Sequence, residues 1–222
     1  MMKNIGIALL IALLAVPALF AARSGSMPSG SKMNPRDQAI EDYNSGERRL
    51  EKLTKLHDEM KAATNPKETE KLRGKLKKGL ENAVGDFERA VRNDPNMYQA
   101  HSELGFAPRK LGKYDESLAA YDKALELRGD FSPAIEYRAE AYLGLNRIED
   151  AKQAYAILFA GDRPRADILM GAMKSYVAAR QADAAGLDAA QLDAFANWVV
   201  QREAIHTQTT SLSAEASTFR SW

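Results

Sequence analysis

The 222-residue sequence contains no cysteine and only three histidines. The absence of cysteine excludes disulfide bonds, thiolate zinc sites, iron–sulfur ligation, a cysteine nucleophile and lipid attachment through a thiol. His57, His101 and His206 lie too far apart in the chain for the paired spacing of a zinc hydrolase. The chain also lacks a phosphate-binding loop and a dinucleotide fingerprint. These absences predict a protein that has no catalytic residues and takes no metal and no cofactor.

An excess of one charge is also missing, since 31 Lys and Arg residues balance 30 Asp and Glu residues. A balanced chain has no electrostatic attraction for nucleic acid, and the sequence predicts none as a partner. The one local exception is a basic cluster with no aromatic residue for base stacking, formed by Lys71, Arg73, Lys75, Lys77 and Lys78. Because three glutamates flank it, the pattern favours a solvated helix face, with phospholipid headgroups, a polyanion or an acidic partner as the alternative.

The N-terminal residues 1–22 consist of a short start with Lys3 and an apolar run over residues 5–22. A cation followed by an apolar run and small residues is typical of a secretory signal, which predicts a periplasmic or secreted protein. Because the run is nearly as long as a membrane span, an uncleaved anchor in the inner membrane is the alternative. Residues 23–36 are rich in Ser, Gly and Pro and are predicted to be a flexible linker.

From residue 37 onward the apolar residues recur at helical spacing, and no alternating pattern predicts a strand. One apolar stripe predicts a helix to about residue 63, where Asn65 and Pro66 end it. A second stripe covers about 67–93, where three glycines predict either two helices or one kinked helix.

Four residue classes recur every 34 residues across three units of the chain. They are a medium apolar position (Leu80, Tyr114, Ile148), a small position (Ala83, Ser117, Ala151), an aromatic position (Phe87, Tyr121, Tyr155) and a small or apolar position (Ala90, Ala124, Leu158). A unit of this length holds two antiparallel helices, with small residues where the helices approach and aromatics in the space between them. The spacing therefore predicts an all-α fold, a short α-solenoid of antiparallel helix pairs.

At this spacing the chain resembles the tetratricopeptide repeat (TPR) proteins. The most typical unit is 98–131, with Leu104 and Gly105 in its first helix, and 132–165 is a second unit. Residues 37–97 are predicted to form N-terminal helices with a partial repeat, recognised only in its second helix. Solenoids need a cap on the last unit, and residues 166–206 are predicted to supply capping helices. Residues 207–222 lack periodicity and are predicted to be a mobile tail.

Pro108 departs from the family pattern, which usually has an aromatic residue late in the first helix. Proline has no N–H for the carbonyl of Leu104, and it costs roughly 3 kcal/mol in a helix interior. The resemblance therefore favours a bent helix in a weakened unit, with a kink that widens the binding groove as the alternative.

The resemblance implies that binding takes place in a concave groove lined by the first helix of each pair. The implied lining residues are Gln99, Ser102, Phe106, Arg109, Lys110, Glu136, Glu140 and Leu143. A mixed surface of this kind suits a peptide or a helix better than a metabolite. The sequence thus predicts a non-catalytic, protein-binding scaffold or adaptor of the cell envelope. A structural module that self-associates as a homo-oligomer, anchored at the membrane through the N-terminal segment, is the alternative.

Overall fold

A computed structural model describes residues 33–219 of the chain, with side chains as far as residue 205. The predicted signal or anchor at 1–22 and most of the predicted linker lie outside these residues. The described part folds into eight α-helices without a strand, which confirms the all-α class. The helices are α1 (Pro35–Ala62), α2 (Pro66–Asn93), α3 (Tyr98–Lys110), α4 (Tyr114–Leu127), α5 (Ser132–Gly144), α6 (Ile148–Gly161), α7 (Arg163–Ala182) and α8 (Ala189–Phe219).

Each helix packs against the next one in the chain, so the fold is a stack of antiparallel pairs. The odd-numbered helices α3, α5 and α7 also contact one another in turn and form one face of the stack, here called the inner face. None of the helices among residues 33–219 combines the length and the apolarity needed to cross a bilayer.

The two long helices at the start of the stack begin with the same sequence signal, an asparagine followed by a proline. The side chain of Asn34 accepts a hydrogen bond from the N–H of Asp37, and that of Asn65 accepts one from Lys67. Proline suits the first turn because its missing N–H would have no partner there. Helix α1 consequently begins at Pro35, two residues inside the predicted linker.

Within each pair, an aromatic side chain of the second helix fills the space beside a small residue of the first. A Cβ atom on Gly105 of α3 would lie 2.5 Å from the ring of Tyr121 in α4, so this crossing requires glycine. A Cβ atom on Gly46 of α1 would lie equally close to the ring of Phe87 in α2. Because Phe87 and Tyr121 hold the same repeat position, α1 takes the place of the first helix in the first pair.

This arrangement corrects two predictions about the N-terminal region. The stripe over about 67–93 was predicted to form two helices or one kinked helix, but α2 runs unbroken from Pro66 to Asn93. Its three glycines do not divide it, because α1 packs along its length and stabilises it. The first pair is therefore complete, and both of its helices are about twice as long as those of the next two pairs.

A cluster of polar side chains between α1 and α2 fixes this first pair. Asp86 is buried and accepts hydrogen bonds from Arg49 at 2.5 Å, from Ser45 at 3.1 Å and from Arg89. Although burial raises the pKa of the Asp86 carboxyl, the hydrogen bonds from the two arginines outweigh it and lower the pKa. Asp42 of α1 accepts a further bond from Arg89 at 3.1 Å. The charges are satisfied inside the pair, so this cluster is structural.

Pro108 lies in the last turn of α3, because the helix ends at Lys110. The N–H groups of Leu111 and Lys113 both bond to the carbonyl of Pro108, and Gly112 reverses the chain with a φ of 78°. The proline thus removes one hydrogen bond beside a helix end, where the chain turns in any case.

Helix α8 extends further than the sequence predicted. The capping segment was expected to end at residue 206, but the helix continues to Phe219 through most of the predicted tail. Its first part packs on α7 through Leu192, Phe195 and Val199, which belong to the same buried cluster as Leu169. The polar residues after position 206 have no apolar periodicity, so the extension could not be recognised from the pattern.

Two glycine-to-alanine substitutions should have opposite effects on stability. Gly105→Ala places a methyl group against the ring of Tyr121 and is expected to lower the free energy of unfolding by about 1–3 kcal/mol. Gly74→Ala is the matched control, because Gly74 lies in α2 with no atom near the position of a Cβ. It should raise that free energy by about 0.5–1 kcal/mol. Urea unfolding followed by circular dichroism measures both, and equal effects would contradict the proposed close crossing.

Candidate functional site

The eight residues predicted to line a groove all lie on α3 and α5, whose inner face they share. They do not line an open groove, however. Ser102 and Glu136, which hold the same repeat position, are 0% and 1% exposed. Phe106, Arg109 and Leu143 are also buried, while Gln99, Lys110 and Glu140 are of intermediate exposure. Five of the eight residues are therefore buried, and a binding role for all eight stays a prediction.

Phe106 is buried because it belongs to the core of the first pair. It joins the apolar cluster that contains Leu50 of α1 and Phe87 of α2. Its ring also meets that of Tyr137 from α5 edge to face, with the ring centroids 6.0 Å apart. An aromatic side chain that bridges two helix pairs in this way supports the stack and is not free to contact a ligand.

Arg109 is held by partners from two neighbouring helices. Its Nε atom donates to the hydroxyl of Tyr121 in α4 at 3.1 Å, and its guanidinium pairs with the carboxylate of Glu140 in α5. The guanidinium carbon also lies 4.9 Å from the ring centroid of Tyr137. These contacts leave the side chain 4% exposed. Arg109 thus links the second and third helix pairs from inside.

Glu136 forms the second buried ion pair of the inner face. Its carboxylate accepts a hydrogen bond from Arg165 of α7 at 2.5 Å. Lys110 lies near both of these ion pairs, and its ammonium is 4.0 Å from the carboxylate of Glu140. Burial, reinforced by the nearby charge of Arg109, lowers the pKa of Lys110 well below its usual value.

Helix α1 contributes one further charged group, Glu47, which is hydrogen-bonded to Tyr43 of the same helix. Burial raises the pKa of Glu47 to about 7, although a hydrogen bond with Tyr43 opposes the shift. On α3, burial followed by the charge of Glu47 raises the pKa of Glu103 well above its usual value. We call the whole set the inner ionic cluster, and it consists of Glu47, Glu103, Arg109, Lys110, Glu136, Glu140 and Arg165.

Sequence reasoning missed Glu47, Glu103 and Arg165. Nothing in their local sequence distinguishes them from the many solvated charges of a helical protein. Glu103 and Tyr137 hold the same repeat position, but one is acidic and the other aromatic, so the 34-residue period gives no signal either. Only the stacking of α1, α3, α5 and α7 brings the charges together.

Two buried polar atoms, one on α3 of the inner face and one on α1, have no hydrogen-bond partner among the described residues. They are the hydroxyl oxygen of Ser102 and Oε1 of Glu47. Leaving such a buried atom unsatisfied costs about 1–3 kcal/mol, which a bound polar group would recover. No group of three acidic or histidine side chains within residues 33–205 could hold a metal ion. The chemistry that this face offers is hydrogen bonding and charge pairing.

Comparison with known proteins supports the repeat assignment. Residues 98–131 match the family model described as tetratricopeptide repeat. Over 53 residues the chain is 43% identical to small glutamine-rich tetratricopeptide repeat-containing protein 2 of Saccharomyces cerevisiae. That match covers 24% of this chain and 15% of the yeast protein. The second unit of helices in the chain is thus a tetratricopeptide repeat, and such repeats generally serve as scaffolds for protein interaction.

Two solved structures are similar at a lower level. The TPR2B domain of yeast Sti1, in its complex with pHsp70, has a TM-score of 0.41 and 16% identity, over 75% of this chain and 98% of that domain. The crystal structure of MamA gives the same score and identity, over 73% of this chain and 96% of MamA. Scores this low do not extend the assignment beyond the matched repeat.

The raised pKa of Glu47 predicts a pH dependence of stability. The folded chain holds the Glu47 proton up to about pH 7, whereas an ordinary glutamate loses it near 4.5. The contribution of Glu47 to the free energy of unfolding is therefore fully present below pH 4.5, and it is lost as the pH rises through 7. Glu47→Gln should flatten the decrease of stability over this range.

The measurement is urea unfolding of the full chain at a series of pH values. Glu126→Gln serves as the control, because Glu126 is exposed and pairs only with Lys123 across one turn of α4. If Glu47→Gln and Glu126→Gln leave the same pH dependence as the wild type, Glu47 ionises normally and is not part of a buried cluster.

Proposed function

We propose that this protein is a non-catalytic, protein-binding scaffold or adaptor of the cell envelope, which binds a peptide segment or a helix on its inner face. The observation that carries the proposal is the unfilled hydrogen-bonding capacity of that face. Ser102, on the matched repeat, has a buried hydroxyl without a partner among the described residues, and a ligand would reach it only by displacing the side chains that cover it. Without a bound ligand, an unpaired buried hydroxyl at this position of a TPR scaffold would not stabilise the fold.

The inner ionic cluster supplies the means of recognition. Glu47 has one free oxygen and Ser102 a free hydroxyl, so together they can accept from a main-chain N–H or a cationic side chain and donate to a carbonyl. Gln99 lies one turn before Ser102 on α3 and is only half-buried. A peptide that enters beside Gln99 would exchange water-exposed polar groups for these fixed ones, at little cost in side-chain entropy.

The envelope location rests on the N-terminal sequence. The cation and apolar run of residues 1–22 favour export to the periplasm or beyond, and an uncleaved inner-membrane anchor is the alternative. Either route places the repeats outside the cytoplasm, where a scaffold would meet envelope proteins.

The test places a photo-crosslinking amino acid at Gln99 in living cells, with the same amino acid at Lys123 as the control. Lys123 is exposed on α4, away from the inner face. We expect an adduct of defined mass with another protein from position 99 and none from position 123. Equal adducts from both positions, or adducts only from Lys123, would place binding elsewhere.

Ser102→Ala is expected to weaken the adduct formed at position 99 about fivefold or more, because one ligand hydrogen bond is lost. The same variant should be as stable as the wild type or more stable, since it removes an unsatisfied buried hydroxyl. Ser117→Ala is the matched control, because the hydroxyl of Ser117 is equally buried but donates to the carbonyl of Lys113 at 3.0 Å. A stable Ser102→Ala variant with an undiminished adduct would contradict the inner-face site.

Self-association is a second candidate, favoured by apolar side chains at the C-terminal end of the stack. Ile157 on α6 is 55% exposed, and Val200 and Ile205 on α8 are 66% and 40% exposed. Large apolar side chains that remain exposed on α6 and α8 could be covered in an interaction surface. Two copies could cover these side chains by packing end to end.

If the protein self-associates in this way, its mass in analytical ultracentrifugation will rise with concentration. Val200→Asp should keep it monomeric, because a carboxylate buried at the interface would be desolvated. Met33→Asp is the control, since Met33 is also exposed but lies at the other end of the described chain. A mass that stays monomeric at all concentrations excludes this candidate.

A further inference from the structure

The lysines of this protein fall into two groups that differ in their partners. All five lysines on α3 to α7 have a carboxylate oxygen within 4.0 Å: Lys110, Lys113, Lys123, Lys152 and Lys174. The eight lysines of the α1–α2 hairpin form no ion pair in the described structure: Lys52, Lys55, Lys61, Lys67, Lys71, Lys75, Lys77 and Lys78. The unpaired lysines are thus confined to one element of the fold.

The hairpin does not lack acidic residues with which these lysines could pair. Residues 51–80 contain nine Lys and Arg and five Asp and Glu side chains, but among these lysines and arginines only Arg73 forms an ion pair, with Glu70. Elsewhere in the stack, exposed lysines pair with a glutamate three residues away, as Lys113 does with Glu116. Lys67, Lys71 and Lys78 of the hairpin also have a glutamate three residues away, but none of these pairs comes within 4.0 Å in the described part of the chain.

Four of the lysines form a continuous row on α2. Lys67, Lys71, Lys75 and Lys78 are separated by four, four and three residues, which places them on one face of a helix. All four are exposed, whereas Leu72 lies on another side of the helix and is buried. At 1.5 Å per residue the row is about 17 Å long.

This row lies in a part of the fold that the other helix pairs do not have. Leu80 holds the repeat position of Tyr114, the residue with which α4 begins. The whole row precedes Leu80 and so belongs to the extra length of α2. The extension is not needed to complete a repeat, and ordering its residues costs conformational entropy. This cost indicates that the extension has a separate role.

We propose that the lysine face of the α1–α2 hairpin binds the anionic phospholipid surface of a membrane. Lysines near such a surface are each attracted to it, and their long stems let several ammonium groups reach headgroups at once. Residues 51–80 contain no aromatic side chain on which bases could stack, so single-stranded nucleic acid is disfavoured. The row contains no exposed large apolar residue either, whereas a protein interface has an apolar core.

The N-terminal sequence supports a lipid partner over an acidic protein. The apolar run over residues 5–22 is separated from the start of α1 by twelve residues. A segment of that length spans at most about 40 Å, so a run held in a bilayer would keep the hairpin close to the headgroups. The lysine face would then orient the domain on the membrane. This inference does not depend on peptide binding by the repeats.

The test compares the partitioning of the full chain into two kinds of vesicle, one of phosphatidylcholine alone and one that also contains phosphatidylglycerol. The variant replaces Lys67, Lys71, Lys75 and Lys78 with Gln, and the matched control replaces Lys113, Lys123, Lys152 and Lys174 with Gln. Both lose four positive charges, so net charge is held constant. Helicity by circular dichroism should be the same in all three proteins, because the replaced side chains lie on the surface.

We expect the wild type and the control to prefer the anionic vesicles by about tenfold or more at low salt, and the hairpin variant to lose most of that preference. High salt should abolish the preference in all proteins, since it screens exposed charges. Insertion of the N-terminal apolar run contributes equally to the partitioning of every protein. It therefore cancels in the ratio of partitioning into anionic vesicles to partitioning into neutral ones.

Two outcomes would overturn the proposal. If the control loses the preference as much as the hairpin variant does, attraction depends on net charge and not on the lysine face. If the wild type partitions equally into both vesicles, the face does not bind lipid. Binding of the wild type to polyglutamate or duplex DNA, lost in the hairpin variant under that second outcome, would assign the face to an acidic protein or to nucleic acid instead.

Discussion

The stack depends on the close crossing between the two helices of each pair. Tyr121 can lie against α3 only because Gly105 has no side chain, and Phe87 lies against α1 at Gly46 for the same reason. The third pair has Ala139 at the equivalent place, in one buried cluster with Tyr155. Because these crossings bring the inner helices near one another, side chains that are solvated in a looser stack become buried. The inner ionic cluster follows from that geometry.

The cluster gives the inner face two opposed properties. Ion pairs such as that of Arg165 with Glu136 are buried, and a partner removed from such a pair leaves an uncompensated charge. Ser102 and, on α1, Glu47 have buried atoms without a partner among the described residues. The paired charges make this region rigid, and in the proposed function the two unpaired groups would bind the ligand. A surface of this kind favours ligands with polar groups in defined positions over purely apolar ones.

Much of the fold could be predicted from the sequence, because the 34-residue period depends on local residue classes. The period was not sufficient for the first pair, where Gly46 and Phe87 are 41 residues apart while Gly105 and Tyr121 are 16 apart. The burial of Arg109 was also unpredictable, since it requires the carboxylate of Glu140, 31 residues away on another helix. Residue type and spacing identify the helices and their order. They do not tell which charges face each other once the helices are stacked.

A repeat array is usually divisible, because each unit contacts only its neighbours and can unfold, or be gained or lost in evolution, nearly alone. The inner ionic cluster removes that freedom here. Glu47, Glu140 and Arg165 belong to α1, α5 and α7, and one set of charges joins them. Fraying of the terminal helices would expose unpaired charges in the middle of the stack. The helices that this cluster joins should therefore unfold as one cooperative unit.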